Sequence, residues 1–297
     1  MSFATLKKQG SLLDKLTKEV DKLNEGGSYI DERIWKPQMD KSGNGYAVIR
    51  FLPSRSPEDL PWAQVWSHAF QGPGGWYIEN SLTTIGKQDP VGEMNRQLWN
   101  SGLDSDKEIA RKQKRKLSYY SNIYVISDPA NPDNEGKIFI YKYGKKIHDK
   151  ICEAMKPSFA DEEAIDPFNF WEGADFKLKI TKVAGYWNYD KSEFARPATL
   201  GNFSDEKLEK IYNQLYDLNE FTAADQFKSY DELQNRFDIV LGKKGTPRVD
   251  RETYETEFME EEMGRSAANL PNLSSSASSS DDEDNFSYFN RLADEDF

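Results

Sequence analysis

The sequence is poor in the residues on which much protein chemistry depends. It contains one cysteine, Cys152, and two histidines, His68 and His148. A single cysteine excludes a disulfide framework within the chain and argues strongly against a cysteine-rich zinc site. Neither histidine lies near a nucleophile motif, and Walker A and G-x-S-x-G motifs are absent. The apparatus for nucleotide hydrolysis and for acyl transfer is therefore missing.

Long apolar segments are missing as well. No stretch approaches the roughly 18–20 apolar residues that span a bilayer, and the first residues lack the hydrophobic region of a secretory signal. We therefore expect a cytoplasmic protein with no membrane contact. The 297 residues, 37% of them hydrophobic, are enough for one substantial core with additional tails.

The formal net charge of −12 is concentrated near the end of the chain. Residues 249–297 carry 14 acidic and 3 basic side chains, whereas residues 107–150 carry 11 basic and 5 acidic ones. The acidic balance therefore belongs to the final segment. The middle of the chain remains basic enough to meet nucleic acid.

Composition and periodicity divide the chain into three zones. Residues 1–24 have apolar residues at helical spacing and predict an N-terminal helical arm, which packs either on its own core or on a neighbouring protomer. Residues 25–245 show short strands followed by helices and predict an α+β domain built on a small barrel. Residues 246–297 are rich in serine and acids, and they predict a disordered acidic C-terminal tail.

Local patterns in the central zone predict individual strands and helices. Alternation and turn residues indicate strands at Tyr46–Leu52, Tyr119–Ile126, Lys137–Tyr143 and 176–180. Two helices should follow, one with an apolar stripe and one with a capping box that ends near Gly242. The stripe comprises Leu208, Ile211, Leu215 and Leu218, and the capping box comprises Ser229 and Glu232.

Positive charge interleaved with aromatic residues is the strongest functional pattern. Cations neutralise phosphates, and aromatic rings stack on unpaired bases at about 1–3 kcal/mol per base. Ile138 and Ile140 alternate with aromatic residues, so we expect the aliphatic face to pack on the core and the aromatic face to stay open for stacking. The pattern indicates binding of single-stranded nucleic acid. The clusters comprise Arg111, Lys112, Lys114, Arg115 and Lys116 with Tyr119 and Tyr120; Phe139, Tyr141 and Tyr143 with Lys145 and Lys146; and Tyr186, Trp187 and Tyr189.

Other interpretations of these residues remain open. In a purely structural interpretation, the aromatic residues would form the core of the sheet and the basic run would be a solvated loop. An acidic adaptor protein would recruit partners through its tail, where apolar side chains lie among acids, and would use its core only as a scaffold. A metal-dependent nuclease would need carboxylates such as those at 161–163 or 260–262, which have the pattern of solvated runs. The tail residues with a partner-binding pattern are Asp281, Asp282, Glu283, Asp284, Phe286, Tyr288, Phe289 and Phe297.

Stretches along almost the whole chain resemble the helix-destabilising, single-stranded DNA-binding proteins of T4-like bacteriophages. They keep the order found in that family. The matching stretches are residues 43–45 and 47–53, 76–79, 128–130 and 135–137, 143–147, 171–174, 188–190, 227–229 and the serine-rich acidic tail.

The resemblance implies a non-enzymatic protein that coats single-stranded DNA cooperatively in phage replication, recombination and repair, in the cytoplasm of the infected host. It implies an OB-fold-like β-barrel core with added helical subdomains, and self-association along DNA. The acidic tail would recruit replication and recombination proteins. Phosphate contacts are implied at Arg50, Lys114, Arg115 and Lys116. The cleft would be lined by Tyr119, Tyr120, Tyr141, Tyr143, Tyr186 and Tyr189.

One departure from the family concerns zinc, which its best-known members bind through one histidine and three cysteines. Only His68 of that ligand set remains here. Ser81 follows the Glu79-Asn80 pair, and the segment that begins at Asp89 contains no cysteine. One imidazole cannot build a tetrahedral site, so we expect no metal or other cofactor. Packing that involves Trp76, Leu98 and Trp99 is expected to stabilise this region instead.

Overall fold

A computed structural model describes residues 31–159, 161–183 and 186–244. The predicted N-terminal arm at 1–24 and the acidic tail at 246–297 lie outside the described residues. The chain divides into two compact units, and the described part of the larger one covers residues 33–159, 161–182 and 188–244. Tyr186 and Trp187 belong to the smaller unit.

The described residues form a mixed α+β fold, as predicted, with nine strands and five α-helices. No helix within them is long and apolar enough to cross a membrane. The strands are β1 (Ile34–Trp35), β2 (Gly45–Phe51), β3 (Ala63–Gly72), β4 (Gly75–Asn80), β5 (Lys116–Ser127), β6 (Ile138–Tyr143), β7 (Phe176–Val183), β8 (Tyr186–Asn188) and β9 (Glu193–Phe194). The helices are α1 (Pro90–Asn100), α2 (Asp104–Lys112), α3 (Lys145–Met155), α4 (Asp205–Tyr212) and α5 (Tyr230–Val240).

The long strand β5 organises the sheet of the larger unit. Its first residues pair with β3, its middle with β6 and its last residues with β2, all antiparallel. β4 extends the sheet beyond β3, β7 pairs with β2, and β1 adds to β6 in parallel. Twelve residues of β5 therefore connect three neighbouring strands.

The strand predictions are largely confirmed. β2 and β6 each begin within a residue of the predicted start, and β5 extends the predicted strand at both ends. In β7, Phe176, Leu178 and Ile180 are buried while the intervening residues are partly exposed. This is the alternation of a strand with one face on the core.

Of the two predicted helices, one lies where the sequence placed it and the other only in part. The capping box that begins α5 is present, because the Ser229 and Glu232 side chains each bond to the other's backbone N–H. The other prediction is only partly correct. Leu208 and Ile211 lie on α4, but that helix ends at Tyr212, and Leu218 begins a 3₁₀ turn instead. Leu215 and Leu218 are still buried, so the apolar stripe marks the core over a longer segment than the helix.

The hairpin of β3 and β4 packs against α5. Phe70, Tyr77 and Phe237 form a mutually packed aromatic group in this core cluster, with Phe70 and Tyr77 stacked at 5.1 Å between ring centroids. At the turn of the hairpin, the Gly74 N–H donates to the Val240 carbonyl over 2.8 Å. The last turn of α5 thereby lies directly on the glycines of the turn.

Gly74→Ala should destabilise the protein by about 1–3 kcal/mol, the usual cost of overpacking. A Cβ atom at this position would lie 1.9 Å from the Ile239 carbonyl oxygen, so the hairpin and α5 must separate. Urea unfolding followed by circular dichroism measures the difference. Gly144→Ala is the matched control, because no atom lies within 4 Å of a Cβ built there. Equal losses in the two variants would contradict the expected close contact.

Candidate nucleic-acid interface

The two predicted basic clusters of the larger unit meet at one end of the β5–β6 strand pair. α2 ends at Lys112 and β5 begins at Lys116, so the first cluster leads directly into β5. Tyr119 of β5 lies opposite Tyr143, the last residue of β6, and Lys145 then begins α3. Antiparallel pairing therefore places the start of β5 beside the end of β6. Exposed cations lie on both sides of this end, namely Arg111, Lys112, Lys145 and Lys146, with Lys114, Arg115 and Lys116 half-buried.

Two tryptophans lie against this basic surface and were not predicted as site residues. The Arg115 guanidinium lies 4.3 Å from the centroid of the half-buried Trp66 ring. Arg111 lies 5.4 Å from the centroid of Trp99. Cation–π contacts of this kind orient a guanidinium while leaving its charge available to a ligand. The sequence signal was weak, because Trp66 is separated by almost fifty residues from the cluster beside which it folds.

The prediction that the aromatic face of β6 stays open is wrong for Tyr141 and Tyr143. Both are buried, and so is Tyr119 on β5, with 3–5% of each side chain exposed. Tyr141 meets Trp35 edge to face at 5.2 Å between centroids, while Tyr119 stacks on His148 at 3.8 Å. The opposite face of β6 is covered too, because Ile140 packs on other core residues. Alternation identified the two faces correctly but could not show that the rest of the chain covers both.

Burial keeps the hydroxyls of Tyr141 and Tyr143 in the neutral form. Burial raises the pKa of Tyr143, and its hydroxyl lies 2.9 Å from the Ser121 hydroxyl. Burial also raises the pKa of Tyr141, with a smaller contribution from the neighbouring Tyr189. Tyr189 is only half-buried, so it connects this packed group to the surface.

Tyr120 points to the other side of β5 from Tyr119 and remains half-buried. Its ring stacks on Phe221 at 4.2 Å between centroids. The exposed Lys142, directly opposite Tyr120 in the strand pair, places its Nζ atom 5.9 Å from the same ring. In the smaller unit, Tyr186 is exposed and Trp187 is half-buried. The predicted partner-binding residues between 281 and 297 lie outside the described residues.

Arg50, expected to hold a phosphate, is buried instead. None of its surface is exposed, and its Nη1 atom lies 3.4 Å from Oδ1 of Asp175. Its Nη2 atom donates to the Ala198 carbonyl. Burial lowers the pKa of Arg50, and Asp175 opposes that shift. The geometry corrects the expectation: Arg50 joins β2 to the segment near β7 and does not present its charge to solvent.

Cys152 and His148 lie close together on α3 but lack the character of a catalytic pair. The Cys152 sulfur is 3.5 Å from Nδ1 of His148. Burial raises the pKa of the thiol and lowers the pKa of the imidazole. An activated cysteine needs the opposite, a thiolate stabilised by a nearby positive charge. The pair is therefore neutral at physiological pH and contributes to packing.

His68 takes part in a buried polar cluster whose ligand chemistry does not suit zinc. Its Nε2 atom lies 3.2 Å from Oδ1 of Asp89, which also accepts hydrogen bonds from Ser81, Leu82, Val91 and Gly92. Burial raises the pKa of Asp89, but the bonds from His68, Gly92 and Ser81 together bring it below its usual value. Ser81 offers a hydroxyl, and the described residues contain no group of three histidine, cysteine or acidic side chains that could hold a metal ion. A tetrahedral zinc site needs more thiolate, imidazole or carboxylate ligands than this.

The packing expected around Trp76, Leu98 and Trp99 is present in part. Leu98 and Trp99 pack against Ala110 of α2, and the Trp76 carbonyl accepts a hydrogen bond from Arg236 of α5. The cluster around Asp89 was not predicted. Its only sequence signal is an aspartate before proline, a common start of a helix.

Comparisons with known proteins find DNA-binding proteins similar to this chain. A family model described as "gp32 DNA binding protein like" matches residues 43–241. The chain is 42% identical over 222 residues to the single-stranded DNA-binding protein of Enterobacteria phage T2, a match that covers 74% of each chain. It is also 42% identical over 221 residues to the protein of that name from Enterobacteria phage T4, covering 74% of this chain and 73% of the relative. A third protein of that name, from Enterobacteria phage RB70, is 41% identical over 98 residues, or 33% of this chain and 84% of the relative.

Proposed function

Since this chain belongs to the gp32 DNA binding protein like family, we propose that it is a non-enzymatic protein that binds single-stranded DNA with little regard to sequence. The structural observation that carries the proposal is the meeting of two basic clusters at one end of the β5–β6 pair. Seven cations from two segments distant in sequence surround this end. Such a concentration of charge suits a flexible phosphate backbone.

Phosphates are proposed to lie along the cations that reach the surface, namely Arg111, Lys112, Lys114, Arg115, Lys145 and Lys146. Lys116 is left out because its Nζ atom is buried. Bases would stack on rings that remain partly exposed beside these cations, of which Trp66, Tyr120 and Tyr189 are the clearest. Stacking of this kind tolerates any base because every base has a π-face. The buried Tyr119, Tyr141 and Tyr143 are left out of the stacking surface because so little of each is exposed. Arg50 is left out of the proposed surface because its side chain is buried and its guanidinium is paired with Asp175.

The proposed biological role is cooperative coating of single strands during phage replication, recombination and repair, in the cytoplasm of the infected host. Three features support it: the family, the phage origin of the relatives, and the charge pattern of the sequence. Self-association along DNA is assigned to the N-terminal arm. The acidic tail is assigned to the recruitment of replication and recombination proteins, and to electrostatic competition with DNA for the basic surface.

We also assign the larger unit an OB-fold-like core with added helices. Its support is an antiparallel arrangement in which one strand, β5, pairs with three others, while β1 and β6 pair in parallel. OB folds bind oligonucleotides on a sheet face between loops. The basic end of β5–β6 would lie at the margin of such a face.

Titration of the full chain with oligo(dT), followed by intrinsic fluorescence at two salt concentrations, tests the proposed function. Stacking on tryptophan and tyrosine should quench the emission, and the affinity should fall steeply with salt because counterions are released. A variant that ends at residue 248 should bind more tightly if the tail competes with DNA. Absence of binding by both chains would refute the proposal. The acidic adaptor, whose core is only a scaffold, would then be the better account.

A further inference from the structure

Five buried polar side chains lie together where β3, α1 and the end of α2 meet. They are unusual in this core, because burying a polar group costs free energy unless its hydrogen bonds are made. Most have 3% of their surface exposed or less, and Gln113 has 6%. An apolar part of the core adjoins them, because the His68 ring meets the rings of Phe70 and Tyr77 edge to face. The five residues, here called the Asp89 cluster, are His68, Ser81, Asp89, Asn95 and Gln113.

The carboxylate of Asp89 is the centre of this cluster. Its Oδ1 atom accepts from the backbone N–H groups of Val91 and Gly92, both at 3.1 Å. Its Oδ2 atom accepts from the Ser81 hydroxyl at 2.9 Å and from the Leu82 N–H at 3.1 Å. Asp89 is thus the N-cap of α1, and it also accepts a hydrogen bond from the first residue of the 3₁₀ turn that follows β4. Four donors on one carboxylate strongly favour its charged form.

His68 extends this centre towards the basic surface. Its Nε2 atom faces Asp89, and its Nδ1 atom lies 2.8 Å from the Gln113 carbonyl oxygen. A carbonyl can only accept, so Nδ1 carries a proton. Asn95 of α1 donates to the same carbonyl over 3.2 Å. Gln113 is therefore held by two side chains from different elements.

The bonds to the Gln113 carbonyl matter because Gln113 lies directly before a run of basic residues. Gln113 is the C-cap residue that follows α2, and only Lys114 and Arg115 separate it from Lys116, the first residue of β5. Two side-chain donors on one carbonyl fix the backbone immediately before these cations. A chain of contacts therefore runs from Asp89 through His68 and Gln113 to the basic end of the sheet.

We propose that the Asp89 cluster is a metal-free structural centre, and that it positions Lys114 and Arg115 for phosphate through His68 and the Gln113 carbonyl. The first half is independent of ligand binding. The second half rests on the proposed function. In this arrangement hydrogen bonds to one carboxylate join the elements that a bound ion would otherwise have to join. His68 and Asp89 are positioning residues and do not touch DNA.

Asp89→Asn tests both halves when it is compared with a matched control, Asp128→Asn. Asp128 is also buried and accepts from Trp35, Asn131 and Asn134, but it follows the far end of β5. Each variant should lower Tm by about 5–10 °C, since each places an amide where donors converge on a carboxylate. Only Asp89→Asn should also flatten the dependence of oligo(dT) affinity on salt. The loss of two phosphate contacts would reduce the log–log slope by about 1.4. Binding is measured well below both Tm values, where loss of stability alone leaves the slope unchanged.

A second pair of variants separates positioning from folding. His68→Asn places an amide donor where Nδ1 lies and so retains the bond to the Gln113 carbonyl, whereas His68→Leu removes it. The native slope should therefore be kept in the first variant and lost in the second. If both Asp89→Asn and His68→Leu keep the salt slope of the native chain, the positioning half is overturned. A fall in the Tm of the full chain on addition of EDTA, reversed by zinc, would overturn the metal-free half. If the native chain does not bind oligo(dT), the proposed function fails, and the Tm comparisons still decide the structural half.

Discussion

Replacing Lys112, Lys145 and Lys146 together with glutamine should weaken oligo(dT) binding by about 10²–10³-fold at roughly 50 mM salt. All three side chains are exposed, and they lie on both sides of the basic end of β5–β6. Lys145 is 3.8 Å from Asp149, but an exposed ion pair of this kind stabilises little and leaves the cation available to phosphate. Fluorescence titration at several salt concentrations measures both the affinity and the salt slope, which should fall by about 2.

The control for this prediction changes the charge by the same amount elsewhere. Lys41, Lys87 and Lys210 are exposed and lie outside the two basic clusters. Their replacement by glutamine should alter the salt slope little, because long-range attraction between exposed charges is largely screened at this ionic strength. If both triple variants lose affinity equally, net charge rather than the proposed surface determines binding.

Trp66→Leu should weaken oligo(dT) binding by about 1–3 kcal/mol, or roughly 5–150-fold. The Trp66 ring is half-buried on β3, opposite Leu117 and beside the first residue of β5. It also lies under the Arg115 guanidinium. Removal of the ring should therefore cost one stacked base and loosen one phosphate contact. The same titration measures the loss, and the remaining fluorescence should show less quenching by DNA.

Trp171→Leu is the corresponding control. Trp171 is more exposed than Trp66, with 53% of its surface accessible, but its indole N–H donates to Asp205 at 2.9 Å. An acidic neighbour makes this ring a poor position for a nucleotide. Native affinity and native quenching in Trp66→Leu would exclude Trp66 from the interface, whatever the control shows.

The sequence predicted the basic surface better than the aromatic one. Lys112 and Lys146 are exposed as expected, because a run of charges has no low-energy place other than water. Tyr141 and Tyr143 have the same alternation as an open face, yet they are buried. Periodicity indicates which residues share a face, but whether other segments cover that face depends on tertiary contacts distant in sequence. Trp66 shows the same limit in reverse, since only strand pairing brings it to Arg115.

Predictions failed where one residue type is compatible with more than one structural role. Leu215 and Leu218 continue the apolar spacing of α4 but lie beyond its end, since buried leucines are equally compatible with an irregular segment. Arg50 was expected to hold a phosphate because the family resemblance implied it. Its partner Asp175 is separated from it by more than a hundred residues, and only the folded chain shows the ion pair. The capping box of Ser229 was predictable because all its partners lie within one turn.

The pairing of β5 with three other strands has a consequence for amide hydrogen exchange. Tyr119, Tyr120, Ile123 and Tyr124 pair with β6 on one edge and with β3 or β2 on the other, so fraying of one strand does not open both edges around their amides. They should exchange only when the larger unit unfolds as a whole. Bound oligonucleotide then slows their exchange by a factor of about one plus the ratio of free ligand to Kd. Protection should therefore reach buried amides of β5 that the strand of DNA never covers.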